Sequence, residues 1–490
     1  MIHSYEYASI LPELVLAITG MVIMFAEPLL AKNTSRKPLG GIAFLGVMAA
    51  LVATYQQISG LNLMEEGQLG SAFFNMLQID HFSIFFHFVV LSIAGLVILL
   101  SLDYIEKQDL HSGEFYALIL FGTVGMCLMS SAQELVMVFI ALEISSIATY
   151  VLCGMRKKSA AAAESSIKYF LLGSFATAFF LYGVALIFGA TGSTLIPKIY
   201  ENLQHGQNSG IVYLAIALMF IGMAFKVSSV PFHIWTPDVY EGAPAPVVAL
   251  MSTGPKAAAF AVMLRIIFAA FGDMGHWWQP LLWVSALLSM TVGNFGALLQ
   301  NNIKRMLAYS SIAHAGYILV AFAAATRTGA YSVIFYTATY AIMNVGAFAV
   351  ITHIAGDGEK FVSIDDYKGL GHRAPLLAAT LTLFMLSFIG IPLTAGFFGK
   401  YLVFQAALKA NLLWLTLFGV LNSAVAAYYY LRVIVVMYMY EADESVPLLP
   451  VPKMLTTVLV MLVLLTLYFG ILPGQIIQFT SNGVTDLMAR

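Results

Sequence analysis

Cysteine and charge are the scarce ingredients of this sequence. Only two cysteines occur among 490 residues, Cys127 and Cys153, and both sit inside apolar runs, where they read as core filler. Neither a disulfide framework nor a cysteine cluster able to hold iron and sulfur or zinc can be assembled from them. Charged residues make up 10% of the chain, and the formal net charge is -2. Nothing resembles a basic stripe with interleaved aromatics, which excludes nucleic acid as a partner. Phosphate-binding loops and nucleophile-triad signatures are also missing. The run Gly369-Leu370-Gly371-His372-Arg373-Ala374 matches the dinucleotide pattern formally, but it lies in a polar loop and follows no strand, so it predicts no nucleotide site. The amino terminus, MIHSYEYASILPELVLAITG, lacks a basic region and a small-residue cleavage site, and reads as a retained first span.

Apolar surface, by contrast, is abundant. Hydrophobic residues make up 60% of the chain and the mean hydropathy is +0.87, far more than a soluble core hides. The expected fold is an all-α polytopic membrane protein forming a single membrane domain over 1–490. Windows of about 20 apolar residues predict about 14 transmembrane helices. They lie near 8–27, 39–58, 81–102, 114–130, 134–155, 164–190, 211–229, 245–271, 280–300, 303–324, 330–354, 375–408, 411–440 and 453–472. The longest polar connections are 59–80, 191–210 and 355–374, too short for a soluble domain. Alternating loops differ sharply in lysine and arginine. One set holds thirteen, Lys32, Arg36, Lys37, Lys107, Arg156, Lys157, Lys158 and Lys304 among them; the other holds Lys198, Arg327, Lys409 and Arg490. The positive-inside rule then predicts both termini outside, with the Asn33-Thr34-Ser35 sequon inside.

Against that background a few ionisable side chains within spans stand out. Lys226 and Lys256 flank the stretch FKVSSVPFHIWTPDVYEGAPAPVVALMSTGPK, and an ionisable group at membrane depth costs roughly 2.5 to 3.5 kcal/mol on insertion scales. Pro231 lacks an N–H for the carbonyl of Val227, so a helix carrying Lys226 should break there, and broken backbone in a bilayer requires protein or water around it. A similar interruption occurs at Ile391-Pro392-Leu393-Thr394-Ala395-Gly396, with Lys400 following. Paired interrupted helices point to inverted repeats with sites near the midplane. Glu143, about nine residues into the fifth span, needs a partner or a proton; a Glu and Lys pair is switched by breaking contact and titrates as a unit. Its bland alternative is a static ion pair between helices. Pro255, just before Lys256, leaves the carbonyl of Met251 free, with Ser252 one turn earlier. Lys168 follows Glu164 by four residues and so also fits an ordinary helical ion pair. Arg265 and Arg432 lie toward one side of their spans and are expected to snorkel to headgroups. Among histidines, His233 at the break and His314 in YSSIAHAGY suit a proton relay, and a satisfied core histidine with Ser310 one turn away fits His314 equally well. His81 and His87 have weaker claims, and no pair has the spacing of a zinc helix.

The run VPFHIWTPDVYEGAPAPV, the lysine of STGPKAAAF and the run NNIKRMLAYSSIAHAGY closely resemble the antiporter-like subunits of respiratory complex I, over about residues 115–440. The loop PDVYEGAP and a lysine at Lys400 resemble the N type of that family. The resemblance implies two inverted five-helix repeats, spans 4–8 (114–271) and 9–13 (280–440), with broken helices 7 and 12. Leading helices over 1–110 and a trailing helix at 453–472 complete the implied arrangement. It implies a subunit of a proton-translocating NADH:quinone oxidoreductase, in which Glu143 and Lys226 form a switching pair, Lys256 a central relay and Lys400 the terminal site. Lys168 is also a family position. No cofactor is implied in this chain; NAD, FMN, iron-sulfur clusters and quinone are expected in other subunits. The implied partners are other membrane and peripheral subunits of the complex and the lipid bilayer, in a bacterial inner membrane with periplasmic termini. Rival readings are a subunit of a multi-subunit cation/proton antiporter and a structural membrane spacer with inert ion pairs.

Overall fold

Long helices follow one another almost without interruption. The computed structural model describes residues 4–31, 34–61, 70–108, 110, 112–205, 210–443, 446, 447 and 450–488. The expectations resting on Lys32, Asn33 and Arg490 lie outside these residues. The first helices are α1 (Ser4–Ser9), α2 (Leu11–Ala26) and α3 (Lys37–Leu61). A small antiparallel hairpin, β1 (Gly70–Ala72) with β2 (Leu77–Ile79), then interrupts the all-α expectation, pairing Ser71 with Gln78. After it come α4 (His81–Lys107), α5 (Glu114–Ser131), α6 (Leu135–Cys153), α7 (Ala160–Thr191), α8 (Ile196–His205) and α9 (Gly210–Val227). Two short pieces, α10 (Trp235–Gly242) and α11 (Ala245–Met251), lead into α12 (Gly254–Arg265). The rest are α13 (Gly275–Leu298), α14 (Ile303–Ala323), α15 (Arg327–Ile354), α16 (Leu370–Arg373), α17 (Pro375–Ile389), α18 (Ala395–Lys409), α19 (Leu413–Met439), α20 (Lys453–Ile471) and α21 (Gly474–Met488).

Among the described residues 13 helical stretches are long and apolar enough to cross a membrane. The expected twelfth span is divided into α17 and α18, fifteen residues each. The eighth, expected to be continuous over 245–271, breaks at Ser252 and Thr253 between α11 and α12. Pro255 therefore stands in the first turn of a new helix, where its missing N–H costs nothing, rather than inside an old one. Helix α21 was not anticipated, because its apolar residues line only one face.

Burial is graded across the bundle. The most apolar 18 residues of Ala245–Ala270 are all buried, and 94% of the corresponding residues are buried in Ile303–Ala323 and in Arg327–Ile354. Outer spans such as Ala160–Thr191 show large apolar side chains outward, Phe175 for example. Spans enclosed on every side see no lipid, so they are where a polar group finds protein partners. Small residues allow the inner helices to close in. A Cβ on Gly293 of α13 would lie 2.5 Å from the Ala313 nitrogen of α14, and one on Gly316 of α14 would lie 2.7 Å from the Met290 nitrogen.

Two buried ion pairs fix the ends of these spans. Asp80 caps α4, accepting from the Ser83 N–H at 2.7 Å, and the same carboxylate binds Arg265 through Nη1 at 3.0 Å and Nη2 at 3.2 Å. The Arg265 guanidinium also donates to the Ser130 carbonyl at 3.1 Å and lies 4.9 Å from the Phe82 ring centroid. Arg265 does not snorkel. A partner 185 residues away in sequence, invisible to any local pattern, satisfies it inside the bundle. Arg432 reaches the connection between α13 and α14, donating to the Gln300 carbonyl and Asn301 Oδ1. At the opposite ends, Glu359 accepts from Tyr104 Oη (2.7 Å), the Ala245 N–H (2.6 Å) and Lys304 Nζ (2.7 Å), with Arg156 Nη1 at 3.5 Å.

Removing one member of a buried pair strands the other charge, at a cost of about 3–5 kcal/mol. Asp80→Ala should therefore lower the thermal midpoint of the purified protein markedly, and the double variant Asp80→Leu with Arg265→Met should recover most of it. The Glu359 carboxyl is pushed up by burial, but Lys304 and Arg156 more than offset this and leave it below the ordinary 4.5. A carboxyl depressed in the folded state adds stability that is whole above its unfolded value and is lost as pH falls through the folded one. An acid titration of unfolding should show this loss below about pH 4.5. Glu359→Gln should remove that acid-side step and be less stable at neutral pH.

Candidate functional site

Helix α9 ends where the sequence predicts. Ser228 takes a positive φ of 64°, and the Val230–Pro231 peptide bond is cis. The freed backbone does not go unpaired. Ser289 and Ser285 of α13 reach across, Oγ to the Val230 N–H at 2.8 Å and Oγ to the Val230 carbonyl at 3.0 Å. Trp235 Nε1 donates to the Phe225 carbonyl at 3.1 Å. Lys226, in the last turn, is 3% exposed and donates to Ser146 Oγ of α6 at 2.9 Å, with Nζ 5.8 Å from the Tyr169 ring centroid. Glu143 lies one turn before Ser146 on the same helix, half-buried, and its Oε1 has no hydrogen-bond partner. No ion pair within 4.0 Å joins Glu143 to Lys226, so this structure holds the two apart. His233 stands in the turn after the break with a buried, unpartnered Nδ1.

Lys256 occupies the second break. Thr253 Oγ1 returns to the Ala249 carbonyl at 2.6 Å, and Asn344 Nδ2 of α15 donates to Ser252 Oγ at 2.6 Å, so hydroxyls rather than the anticipated gap finish α11. From the start of α12, Lys256 is 3% exposed and donates to Ser311 Oγ of α14 at 2.6 Å, with Tyr240 Oη 3.3 Å from the same hydroxyl.

Helix α14 continues the polar line. Ser310, Ser311, His314 and Tyr317 recur at helical spacing and so share one face. Ser310 Oγ bonds Tyr430 Oη of α19. His314 lies between two phenols, Nδ1 2.8 Å from Tyr336 Oη and Nε2 3.1 Å from Tyr430 Oη. The Tyr317 ring, one turn on, faces Lys400, whose Nζ is 4.7 Å from its centroid. Tyr317 is itself held by Asn294 Nδ2 at 3.2 Å.

Lys400, on α18, is 6% exposed and donates to Ser423 Oγ at 2.6 Å and to the Ile389 carbonyl at 3.0 Å. That carbonyl closes α17, where the helix dipole favours a cation. Gly390, at φ 94°, makes the approach feasible: a Cβ there would lie 3.2 Å from Lys400 Cδ.

Lys168 differs from the other three. Its side chain is 40% exposed and pairs with Glu164 at 2.5 Å and Asp238 at 2.8 Å, so the helical ion pair is present and Lys168 is not buried as the other three are. Asp238 also binds Arg305 at 2.7 Å, which makes Lys168 part of a rim network. A position four residues inside the apolar window 164–190 did not reveal which face it occupied. Sequence reading also missed Ser146, Ser311, Tyr336, Tyr430 and Ser423. Ser311 shares a helix with His314 and lies one turn from it, a spacing that could have flagged it, but the tyrosines from α15 and α19 carry no local signal.

Buried lysines at helix breaks, resting on hydroxyls and carbonyls, resemble the discontinuous-helix sites of membrane proteins that pass ions. Residues 132–426 match the family described as NADH:quinone oxidoreductase/Mrp antiporter, TM, and the chain belongs to that family. It is similar to NADH-quinone oxidoreductase subunit N 2 of Koribacter versatilis (strain Ellin345), 57% identical over 488 residues, covering 99% of this chain and 98% of that protein. NADH-quinone oxidoreductase subunit N of Trichlorobacter lovleyi is 45% identical over 477 residues, covering 97% and 96%. Among solved structures, a chain of respiratory complex I from Thermus thermophilus with bound aureothin aligns at 34% identity and a TM-score of 0.80, covering 95% of this chain and 98% of that one. A chain of the Mrp complex from Dietzia sp. DQ12-45-1b shares the fold, with a TM-score of 0.84 at 19% identity over 97% of each chain.

The Gly390 geometry is open to test. Gly390→Ala places a side chain in the left-handed region at about 1–2 kcal/mol and crowds Lys400. A cryo-electron microscopy map of the variant should show the Lys400 ammonium displaced from the Ile389 carbonyl.

Proposed function

We propose that this chain is a proton-translocating membrane subunit of NADH:quinone oxidoreductase, of the N type, working with other membrane and peripheral subunits of the complex. The observation that carries the mechanism is that Lys226, Lys256 and Lys400 are deeply buried, yet none takes part in an ion pair among the described residues. Each ammonium instead rests on hydroxyls or a carbonyl. Partners that cannot themselves neutralise a cation leave the lysine free to lose and regain its proton.

In this reading Glu143 and Lys226 switch between contact and separation, with Ser146 as the resting partner of the separated lysine. Lys256 is the central relay and Lys400 the terminal site. Ser310, Tyr430, His314 and Tyr336 carry protons along the α14 face, and His233 serves the break after Pro231. Water completes the step from the Lys226 site to the Lys256 site, since a polar, protein-lined break accommodates it. Two unit charges about 10 Å apart at an effective dielectric near 20 interact by about 1.7 kcal/mol, so charging one site biases the next by about one pK unit. Lys168 belongs to the rim network with Asp238 and tunes entry rather than storing a proton at depth.

The chain is a multi-pass membrane protein, and we read both termini as periplasmic. We also read spans 4–8 and 9–13 as inverted repeats, and the redox centres as lying in partner subunits, so that quinone reduction elsewhere drives this chain. Full-length identity to subunit N proteins favours this over a cation/proton antiporter subunit, for which the 19% identical Mrp chain offers only a shared fold. A spacer held by inert ion pairs is disfavoured by three lysines without carboxylate partners.

Lys226→Ala and Glu143→Ala should each leave the complex assembled and able to oxidise NADH, while the protons moved per NADH fall. Unchanged proton stoichiometry in both variants would overturn the assignment.

A further inference from the structure

Away from the lysines, three helices of different parts of the chain bring unlike donors together. Glu13 of α2, His87 of α4 and Cys127 of α5 are all buried, and their ligand atoms lie within 4.8 Å of one another. The geometry points to a binding site for a divalent transition metal of the zinc class, held by Glu13, His87 and Cys127.

Several observations converge on it. Glu13 Oε1 is 3.5 Å from His87 Nε2, close to the separation of two donors on one tetrahedral zinc, roughly 3.4 Å for bonds near 2.0–2.1 Å. Glu13 Oε2 and His87 Nδ1 are buried without a hydrogen-bond partner. No lysine or arginine among the described residues pairs with Glu13, and the neighbouring Arg265 is already bound to Asp80. A carboxylate and a thiolate together neutralise a dication, which removes the cost of enclosing any of the three charges alone. His87 Nε2 also contacts the Cys127 carbonyl at 3.1 Å and Ser131 Oγ at 2.9 Å. The carbonyl can only accept, so Nε2 carries the ring proton there, and that proton moves to the unpartnered Nδ1 as the ion takes Nε2.

Access is short. Glu13 is in the first turn of α2, Cys127 in the last turns of α5 and His87 in the second turn of α4, within about 10 Å of the helix ends at 1.5 Å per residue. The β1–β2 hairpin covers this end, with Leu77 bridged to Ala132 and the Gln133 N–H on the Met76 carbonyl at 2.8 Å. Binding exchanges protons for metal: the thiol, and the carboxyl if protonated, each release one proton to solvent as the ion enters. A single cysteine with donors from two other helices shows no spacing pattern, which is why Cys127 reads as core filler in sequence.

The purified complex, stripped with chelator, loaded with zinc sulfate alone and desalted, provides the test. Wild type should retain one more zinc per complex than Cys127→Ala or Glu13→Gln, with zinc affinity in each variant at least about tenfold weaker. Zinc-edge X-ray absorption is blind to the iron of partner subunits. It should show a zinc–sulfur distance near 2.3 Å in wild type that disappears from the Cys127→Ala spectrum. NADH oxidation by each variant confirms assembly, and either variant alone decides the question. Equal zinc content in wild type and the assembled variants, or a difference spectrum without sulfur, would overturn the site.

Discussion

Every backbone break inside a bilayer has to be shielded from lipid by protein or enclosed water, and the rest of this structure follows from that requirement. Ser285 and Ser289 satisfy Val230, and Asn344 with Thr253 finishes α11, so the broken stretches persist only because α13, α14 and α15 enclose them. Enclosure in turn explains the small residues between α13 and α14, since hydroxyls reach across only when helices approach closely. The polar site is thus a product of tight packing.

The three lysines meet their surroundings differently. Lys226 has one hydroxyl and a distant ring face, Lys256 one hydroxyl shared with Tyr240, and Lys400 a hydroxyl, a helix-terminal carbonyl and a near ring. The richest set of partners falls on Lys400, at the end of the line. The three ammonium groups are thus held by different sets of partners even though all three are buried.

Much of this was legible in the residues themselves. Apolar windows located the spans, and Pro231 and the Ile391–Gly396 stretch located two of the breaks, because proline and glycine act locally. The third break, at Ser252 and Thr253, was read as an intact helix since a proline at the start of a helix and one inside it look alike without the neighbouring turn. Partners were harder. Asp80 for Arg265, Tyr430 for His314 and Ser423 for Lys400 are set by packing between distant segments. Lys168 shows the converse: its pairing with Glu164 was readable at four-residue spacing, and its exposure was not.

Ser310, Ser311, His314 and Tyr317 ride on a single unbroken helix, so the intervals between them are set by helical pitch and do not change when neighbouring segments shift. From Ser310 to Tyr317 this amounts to about 10 Å of fixed gauge. Any rearrangement of the interrupted helices at either end leaves this stretch in register, as a rail keeps its gauge between two sets of points.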